Sequence, residues 1–494
     1  MQIINYFKIW EMNKVMVPEN FNMEEQLKNH PPFEGFEERK MLYIMSLIHL
    51  IPTWDNDNIS ENGFVPISAE KLSSRIRDYK KYLKYLLESG IFVTNGSYVV
   101  GERCKGFKYS ERYADNRPID IIIENPIPYT TAKQLSQQKR HEWDAKYLYH
   151  WYYQKKLEID YSAAVKCAYG MKEARFNNGY ESWSYNVKTR KRKHPREQYN
   201  AALINIGAIA AHDYNAHKDD NVHRLHSRLT SLQKEFRNFI TYDGLQMVSI
   251  DIKNSQPYLA NILFNPRFWV KSKNNFNLYK LPSNIVQSFN IFTTTSTYTS
   301  SSLSIMFGKY LEIVDIQNIE QYQKITSSGN MYEKIIDVVK NKTGRIIDRN
   351  KAKEMIFTVF FSKNDFFDAG AAWLKRLFAE QYPSVYGLFK LVKSEFEGIE
   401  EKQHSRLACL LQSIESEIIL NRICKRIWRE GKRQIPIFTI HDSVVTTVGN
   451  EKFVEKIMCE ELTKYIGLKP ALEVEYWGNE LLTKQLMKSG LKIA

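Results

Sequence analysis

Cysteine is scarce in this chain: five residues in 494, scattered as Cys104, Cys167, Cys409, Cys424 and Cys459, with no Cys-x-x-Cys pair and no histidine partner at zinc spacing. Such a pattern argues against a disulfide framework and a structural zinc site, and it fits a reducing compartment. Long hydrophobic runs are missing too. No apolar stretch reaches the roughly 18 residues of a membrane span, and the first residues mix Asn and acidic side chains where a secretory leader needs a charged start and a clean apolar stretch. The expectation is a cytoplasmic protein with no membrane partner. Acidic residues are outnumbered, 56 Asp and Glu against 70 Lys and Arg, and the net charge of +14 favours an anionic partner, nucleic acid above all. With 43% hydrophobic residues the chain is globular, and its length predicts two or three folding units.

Residues 1–33 are mixed and contain proline, which predicts a loosely docked arm. Met41, Leu42, Ile44, Met45, Leu47, Ile48 and Ile51 then recur at helical spacing and stop at Pro52. Phe64-Val65-Pro66-Ile67 leads into Ser68, a cap for a helix carrying Leu72 and Ile76, and a second helix near Tyr79 to Ser89 ends at Gly90. Ile91 to Val93 and Tyr98 to Val100 read as strands joined by an Asn95-Gly96 turn. Two helices followed by a hairpin, over residues 34–115, resemble a winged helix-turn-helix that would lay Lys80, Lys81 and Lys84 along DNA. The competing reading is a small packing module with a solvated lysine face. Residues 116–215 form a helical and linker region, aromatic-rich from 132 to 185 and ending in the basic run Lys188, Arg190, Lys191, Arg192, Lys193 and Arg196. Phosphate binding and a mobile solvated loop are the two readings of that run. Thr293 to Ser304 is a Ser/Thr low-complexity insertion without chemistry.

Residues 216–494 carry the chemistry. Gln246-Met-Val-Ser-Ile-Asp251-Ile has the composition of a buried strand and delivers a carboxylate at its end. Far downstream, Ile435 to Ile440 and Val444 to Val448 read as strands separated by His441-Asp442-Ser443, a hairpin with an acid at its tip. An Asp in a hairpin turn is by itself mostly a turn former. Two such acids from distant parts of a chain, however, suit a pair of divalent ions about 3.5–4 Å apart, the arrangement for in-line phosphoryl transfer. Between them Arg349, Lys353, Phe357 and Phe361 recur every four residues, so a helix would stack them on one face. Two cations there can grip triphosphate oxygens while two aromatics offer a surface to base and sugar. A plain amphipathic helix is the alternative for that segment taken alone.

These three segments, in this order, resemble family A DNA polymerases: the Arg-x3-Lys-x3-Phe-x3-aromatic helix of the fingers and the two metal-binding motifs of the palm. Two flanking stretches are similar as well. Arg224-Leu-His-Ser-Arg228-Leu-Thr-Ser-Leu232-Gln233-Lys-Glu-Phe-Arg237 resembles the stretch before the first Asp, where an Arg touches the primer-template minor groove, and Leu411-Gln412-Ser-Ile-Glu-Ser resembles the segment in which a Gln reads the same duplex. The likeness spans residues 220–480, approximately. It implies an α+β, right-hand palm, fingers and thumb fold, the thumb drawn from residues 116–215, with the winged-helix-like module in front. It implies further that Asp251 and Asp442 hold two Mg2+ ions, with Mn2+ as an alternative. Arg349 and Lys353 would then act on the triphosphate, Phe357, Phe361 and Gln256 on the nucleoside, and Arg224, Arg237, Gln412 and His441 on the primer-template. Lys253 and Asn254, following the first acid, serve as nucleic-acid contacts or as an ordinary loop.

The departures concern the sugar. Phe361 stands where Tyr is usual, Ser362 where Gly is usual, and Gln256 where DNA-synthesising members carry a Glu that crowds the 2′ position; His441-Asp442-Ser443 matches the related single-subunit phage RNA polymerases. The sequence reading favours a DNA polymerase using deoxynucleoside triphosphates, in the manner of minimal replication enzymes of phages, plasmids or mobile elements. The alternatives are a primase or RNA polymerase using ribonucleotides, and a DNA-binding replication initiator whose palm is not catalytic.

Overall fold

The computed structural model describes residues 14–54, 56–96, 104–123, 127–128, 132–186, 191–289, 310–312, 314–364, 372–393 and 405–491. They form a mixed α+β protein with two hydrophobic cores. Among them no helix is long and apolar enough to cross a membrane. The Ser/Thr insertion at Thr293 to Ser304 and residues 188–190 of the basic run lie outside the described residues.

Around the first core, β1 (Lys14–Pro18), α1 (Glu38–Trp54), β2 (Val65–Pro66), α2 (Ala69–Ser73), α3 (Tyr79–Glu88), β3 (Phe92–Thr94), β4 (Gly106–Tyr109) and β5 (Pro118–Ile122) follow one another. Helix α1 does not stop at Pro52 but ends at Trp54. Proline removes one helical N–H, yet Pro52 is buried and the Thr53 hydroxyl donates to the Leu50 carbonyl at 2.7 Å, so the last turn keeps its polar groups engaged. Ser68 caps α2 by accepting from the Lys71 N–H. Helix α3 turns Tyr82, Tyr85 and Leu86 inward and leaves Lys80, Lys81 and Lys84 exposed.

The sheet order is β2-β4-β3, with Val65 opposite Phe107 and Phe92 opposite Tyr109. Tyr98 to Val100, expected as the partner of β3, falls outside the described residues; the strand that pairs with β3 is β4, and Asn95 Oδ1 accepts from the Gly106 N–H at 3.0 Å. From Lys14 onward the expected arm is tied down. Strand β1 pairs with β5 from Lys14↔Ile122 to Pro18↔Pro118, because alternate residues Val15 and Val17 bury one face in the core.

The principal elements of the second core are α4 (Lys146–Tyr153), β6 (Leu157–Ile159), α5 (Tyr161–Asn177), α6 (Pro195–Ala210), β7 (Ile240–Tyr242), β8 (Leu245–Ile252), α7 (Ser255–Leu259), α8 (Ile316–Ser327), α9 (Met331–Thr343), α10 (Arg349–Phe361), α11 (Pro383–Lys393), α12 (Ser405–Ser416), β9 (Phe438–Ile440), β10 (Ser443–Thr447), α13 (Glu451–Ile466) and β11 (Leu472–Tyr476). Strand β8 is central. It pairs with β7 at its start, with β10 from Met247↔Thr447 to Ile250↔Val444, and with β11 from Val248↔Tyr476 to Ile252↔Leu472. Strand β9 pairs with β10, and β6 with β7. Where β8 is covered on both edges and packed on its faces, from Met247 to Ile250, its residues are apolar or small, and Met247, Val248 and Ile250 are fully buried.

The two cores meet where α1 packs on α6. Asn205 Nδ2 and Arg228 Nη1 both donate to Thr53, to its carbonyl and hydroxyl, at 3.3 Å. The described cations of the basic run lie in this region too. Lys191 pairs with Glu61 at 2.6 Å, Lys193 with Asp57 at 2.8 Å, Arg192 with Glu181 at 2.8 Å, and Arg196 with Asp115. Each described cation of the run already faces a carboxylate, and three of the four acids lie in residues 34–115, so the run fastens one core to the other.

Candidate active site

Helix α10 starts because Asp348 accepts the Lys351 N–H at 2.7 Å, a side-chain cap on an otherwise open helix end. Ala352, Met355, Ile356, Val359 and Phe360 are fully buried. The four-residue series Arg349, Lys353, Phe357 and Phe361 therefore shares the other, open face. Along it the Lys353 Nζ stands 5.3 Å from the Phe357 ring, and the rings of Phe357 and Phe361 are 5.4 Å apart. Arg349 donates to Glu333 at 3.1 Å and its guanidinium lies 5.0 Å from the Tyr332 ring. At the far end of the helix the buried Lys393 donates to the carbonyls of Val359 and Ser362, at 2.7 and 3.1 Å. Burial and the neighbouring charge of Lys375 pull the Lys393 ammonium down to about 7.

The two acids occupy neighbouring positions on adjacent strands. Ile250↔Val444 is the last pair between β8 and β10. Asp251 follows on one strand, and Asp442 sits in the two-residue turn that Ile440↔Ser443 closes on the other. His441 takes a left-handed conformation, φ 54°, which allows so tight a turn. Both carboxylates are half-buried. Burial, then the charges of Asp442 and Glu475, push the Asp251 carboxyl up to about 7, although the Ser249 hydroxyl donates to it at 3.2 Å and Arg237 lies near. Asp442 is likewise raised by burial, while hydrogen bonding by Ser255 and the charges of Arg224 and Lys353 act the other way. Lys353 is thus within electrostatic reach of Asp442, and α10 brings this one cation toward the hairpin acid. Partial desolvation, Arg349 and Lys234 lower Lys353 while Asp442 raises it.

Among the described residues no group of three or more His, Cys, Asp or Glu side chains could hold a metal ion. A carboxylate pair with raised proton affinity nonetheless has the chemistry of a divalent-ion site of the magnesium kind, which takes one or two protein carboxylates and completes its shell with water and substrate phosphate oxygens.

The remaining expected residues are placed as follows. Arg224 does not point into open space: its Nε donates to Glu415 Oε1 at 2.8 Å and its Nη2 lies 2.6 Å from the same oxygen. Gln256 Nε2 donates to Glu415 Oε2 at 2.7 Å, and the Gln256 Oε1 is buried with no hydrogen-bond partner. Arg237, half-buried, has its guanidinium proton affinity lowered by burial while Asp251, Glu235 and Glu475 raise it. Gln412 is half-buried on α12. His441 is open to solvent, yet partial desolvation and the charges of Arg224, His226 and Arg237 hold its imidazole down to about 4; its ring packs edge-on against His226 at 6.0 Å. Lys253 is bound through its N–H to the Ala471 carbonyl. Asn254 is buried at φ 52°, and both atoms of its amide group lack a partner.

Glu415 is the residue that sequence reasoning passed over. It is 2% exposed, and it joins the Arg224 segment, the residues after Asp251 and helix α12 in one network. Burial and the charge of Asp442 raise its carboxyl to about 7, opposed by Arg224 and Gln256. No signal in the sequence set it apart from other helical acids; in the structure its neighbours Ser413, Ile414 and Ser416 are all buried. Tyr332, beside Arg349, was also not singled out.

No family model and no curated protein matches the sequence. Among solved structures the chain is similar to the POL domain of Pol1 from M. smegmatis, solved in complex with DNA primer-template and dNTP, at 12% identity over 70% of this chain and 66% of that one, with a TM-score of 0.27.

Proposed function

We propose that this protein is a template-directed DNA polymerase of the family A kind, transferring nucleotides from deoxynucleoside triphosphates to a primer 3′ end. The observation that supports it most is the approach of Asp251 and Asp442, from strands far apart in sequence, opposite a helix whose open face presents Arg349, Lys353, Phe357 and Phe361. In this reading the central sheet is the palm, α10 belongs to the fingers, and the helices before β7 include the thumb. Strand β6, from the same stretch of chain, joins the palm sheet.

The primer 3′ hydroxyl gives its proton to water, its oxygen attacks the α-phosphorus, the bond to the β-phosphate bridging oxygen breaks, and pyrophosphate leaves with that electron pair. Asp251 and Asp442 would hold two Mg2+ or Mn2+ ions, which supply a more acidic primer hydroxyl and neutralise the triphosphate. Lys353 and Arg349 bind the triphosphate oxygens, which carry most of the substrate's charge. Phe357 and Phe361 support base and sugar, Gln256 walls the sugar, and Arg237, Gln412 and His441 border the primer-template. Arg224 works through Glu415.

The order α1-β2-α2-α3-β3-β4 corresponds to that of a winged helix-turn-helix, and we assign the exposed lysines of α3 to duplex phosphates. Incubating the purified protein with a primed template, Mg2+ and either dNTPs or NTPs tests the whole reading. Extension with dNTPs is expected; extension with NTPs alone would replace the substrate assignment, and none with either would remove the activity.

A further inference from the structure

Gln256 is held in a way that its own amino-acid type does not require. An ionised carboxylate, the form that the Arg224 guanidinium favours, only accepts hydrogen bonds, so the group facing Glu415 Oε2 at 2.7 Å is the Gln256 NH2. The amide is thereby barred from flipping. Its Oε1 is buried and unpaired. The other oxygen of Glu415 receives Nε and Nη2 of Arg224 at 2.8 and 2.6 Å, so the acid cannot swing away without breaking a charged pair of which one side is 2% exposed. Ser255 Oγ lies 3.5 Å from Oε2, and Ser255 is also a hydrogen-bond partner of Asp442. One buried carboxylate therefore fixes, at once, the residue on the sugar side of the site, an arginine from the preceding segment and the serine beside a catalytic acid.

We infer that Glu415 is the positioning residue for sugar selection, clamping Gln256 in a single orientation so that it stands as a rigid wall against the nucleotide ribose. The inference rests on the polymerase reading of the same site. A wall discriminates only as far as it resists displacement. An extra 2′-hydroxyl meets a side chain tethered through its amide nitrogen, whereas an untethered glutamine rotates aside about its side-chain torsions.

The test is a pair of substitutions read as the ratio of dNTP to NTP incorporation, each expressed as kcat/KM on one primed template. In Glu415→Gln the facing groups are both amides, and Gln256 gains freedom to turn either end inward. The ratio is expected to fall at least tenfold, with primer affinity preserved. Gln256→Glu alone opposes two carboxylates and is expected to lower kcat/KM for both nucleotides. The double substitution Gln256→Glu with Glu415→Gln restores one donor and one acceptor across the gap, and the ratio should return to within about threefold of wild type, a coupling that independent sites do not show. A purely structural Glu415 would change stability and both substrates together, leave the ratio unmoved and gain nothing from the swap; that result overturns the inference. If the wild-type protein incorporates neither nucleotide, the polymerase reading fails and the inference falls with it. Thermal melting of each variant identifies any that do not fold, and the folded double variant then decides.

Discussion

Around the first core the buried polar side chains among the described residues are Gln26, Ser46, His49 and Thr53, none of them formally charged; in the rest of the molecule Arg175, Glu235, Lys375, Lys393, Arg406 and Glu415 are all buried. Even His49, stacked on Tyr109 at 4.9 Å with both ring nitrogens unpaired, is held neutral, its imidazole lowered by burial to about 3. Removing a charge from water is expensive, and a unit that uses its charges only at the surface keeps them outside. The first core does so, with Lys80, Lys81 and Lys84 in solvent. The second gathers Asp251, Asp442, Glu415, Arg224 and Arg237 where they perturb one another, a cost in stability of the kind that the proposed active site would account for.

That contrast breaks most sharply at the hairpin tip. Asp442→Ala should reduce nucleotide incorporation about a thousandfold or more, the scale of losing ion-assisted transition-state stabilisation, while DNA affinity by fluorescence anisotropy barely changes; full activity would remove Asp442 from the chemistry. On the other side of the comparison, replacing Lys80, Lys81 and Lys84 together by Ala should weaken duplex binding about tenfold to a hundredfold at physiological salt and flatten the salt slope by up to about 3. An unchanged slope would make α3 a solvated face and nothing more.

Asp251→Asn tests the cost of charge directly. Burial and the neighbouring acids push this carboxyl from 3.8, the ordinary aspartate value, up to about 7. Between those values the folded state binds the extra proton, so this group's contribution to stability is present at low pH and lost as pH rises through 7. The Asn variant, which carries no charge, should therefore be more stable than wild type at pH 8 in a chelator, by on the order of 2 kcal/mol, and the gain should vanish below pH 4. Equal melting curves at pH 8 would mean that the acid is not strained. The smallest effect belongs to Lys353→Ala: about a tenfold rise in the nucleotide Michaelis constant, the scale of one charge-assisted contact, with primer affinity intact. Unaltered kinetics would place the triphosphate away from α10.

Local patterns carried the readable part of this structure. Composition marked β8, a turn dipeptide separated β9 from β10, and a strict four-residue interval put Arg349, Lys353, Phe357 and Phe361 on one helix face opposite a buried one. Contacts between remote positions were not readable. Glu415 resembles any helical acid until Arg224, 191 residues away, and Gln256, 159 away, are seen to converge on it. Lys191 and Lys193 look solvated until Glu61 and Asp57 are found across the junction, and Val15 and Val17 look like part of a loose arm until β5 closes over them. Pro52 did not act as a stop signal: the helix runs on to Trp54, with the Thr53 hydroxyl donating to the Leu50 carbonyl in its last turn.

The grip of Lys393 on the last turn of α10 has a mechanical side. An ammonium bonded to two backbone carbonyls, with no carboxylate ion pair among the described residues, pins that end of the helix. The beam is roughly 20 Å long at the usual rise per residue, and its other end is moored as well, by the Asp348 cap and by Arg349 against Glu333 and Tyr332. Held at both tips and buried along one side, the helix keeps its cations and its aromatic rings at a fixed spacing.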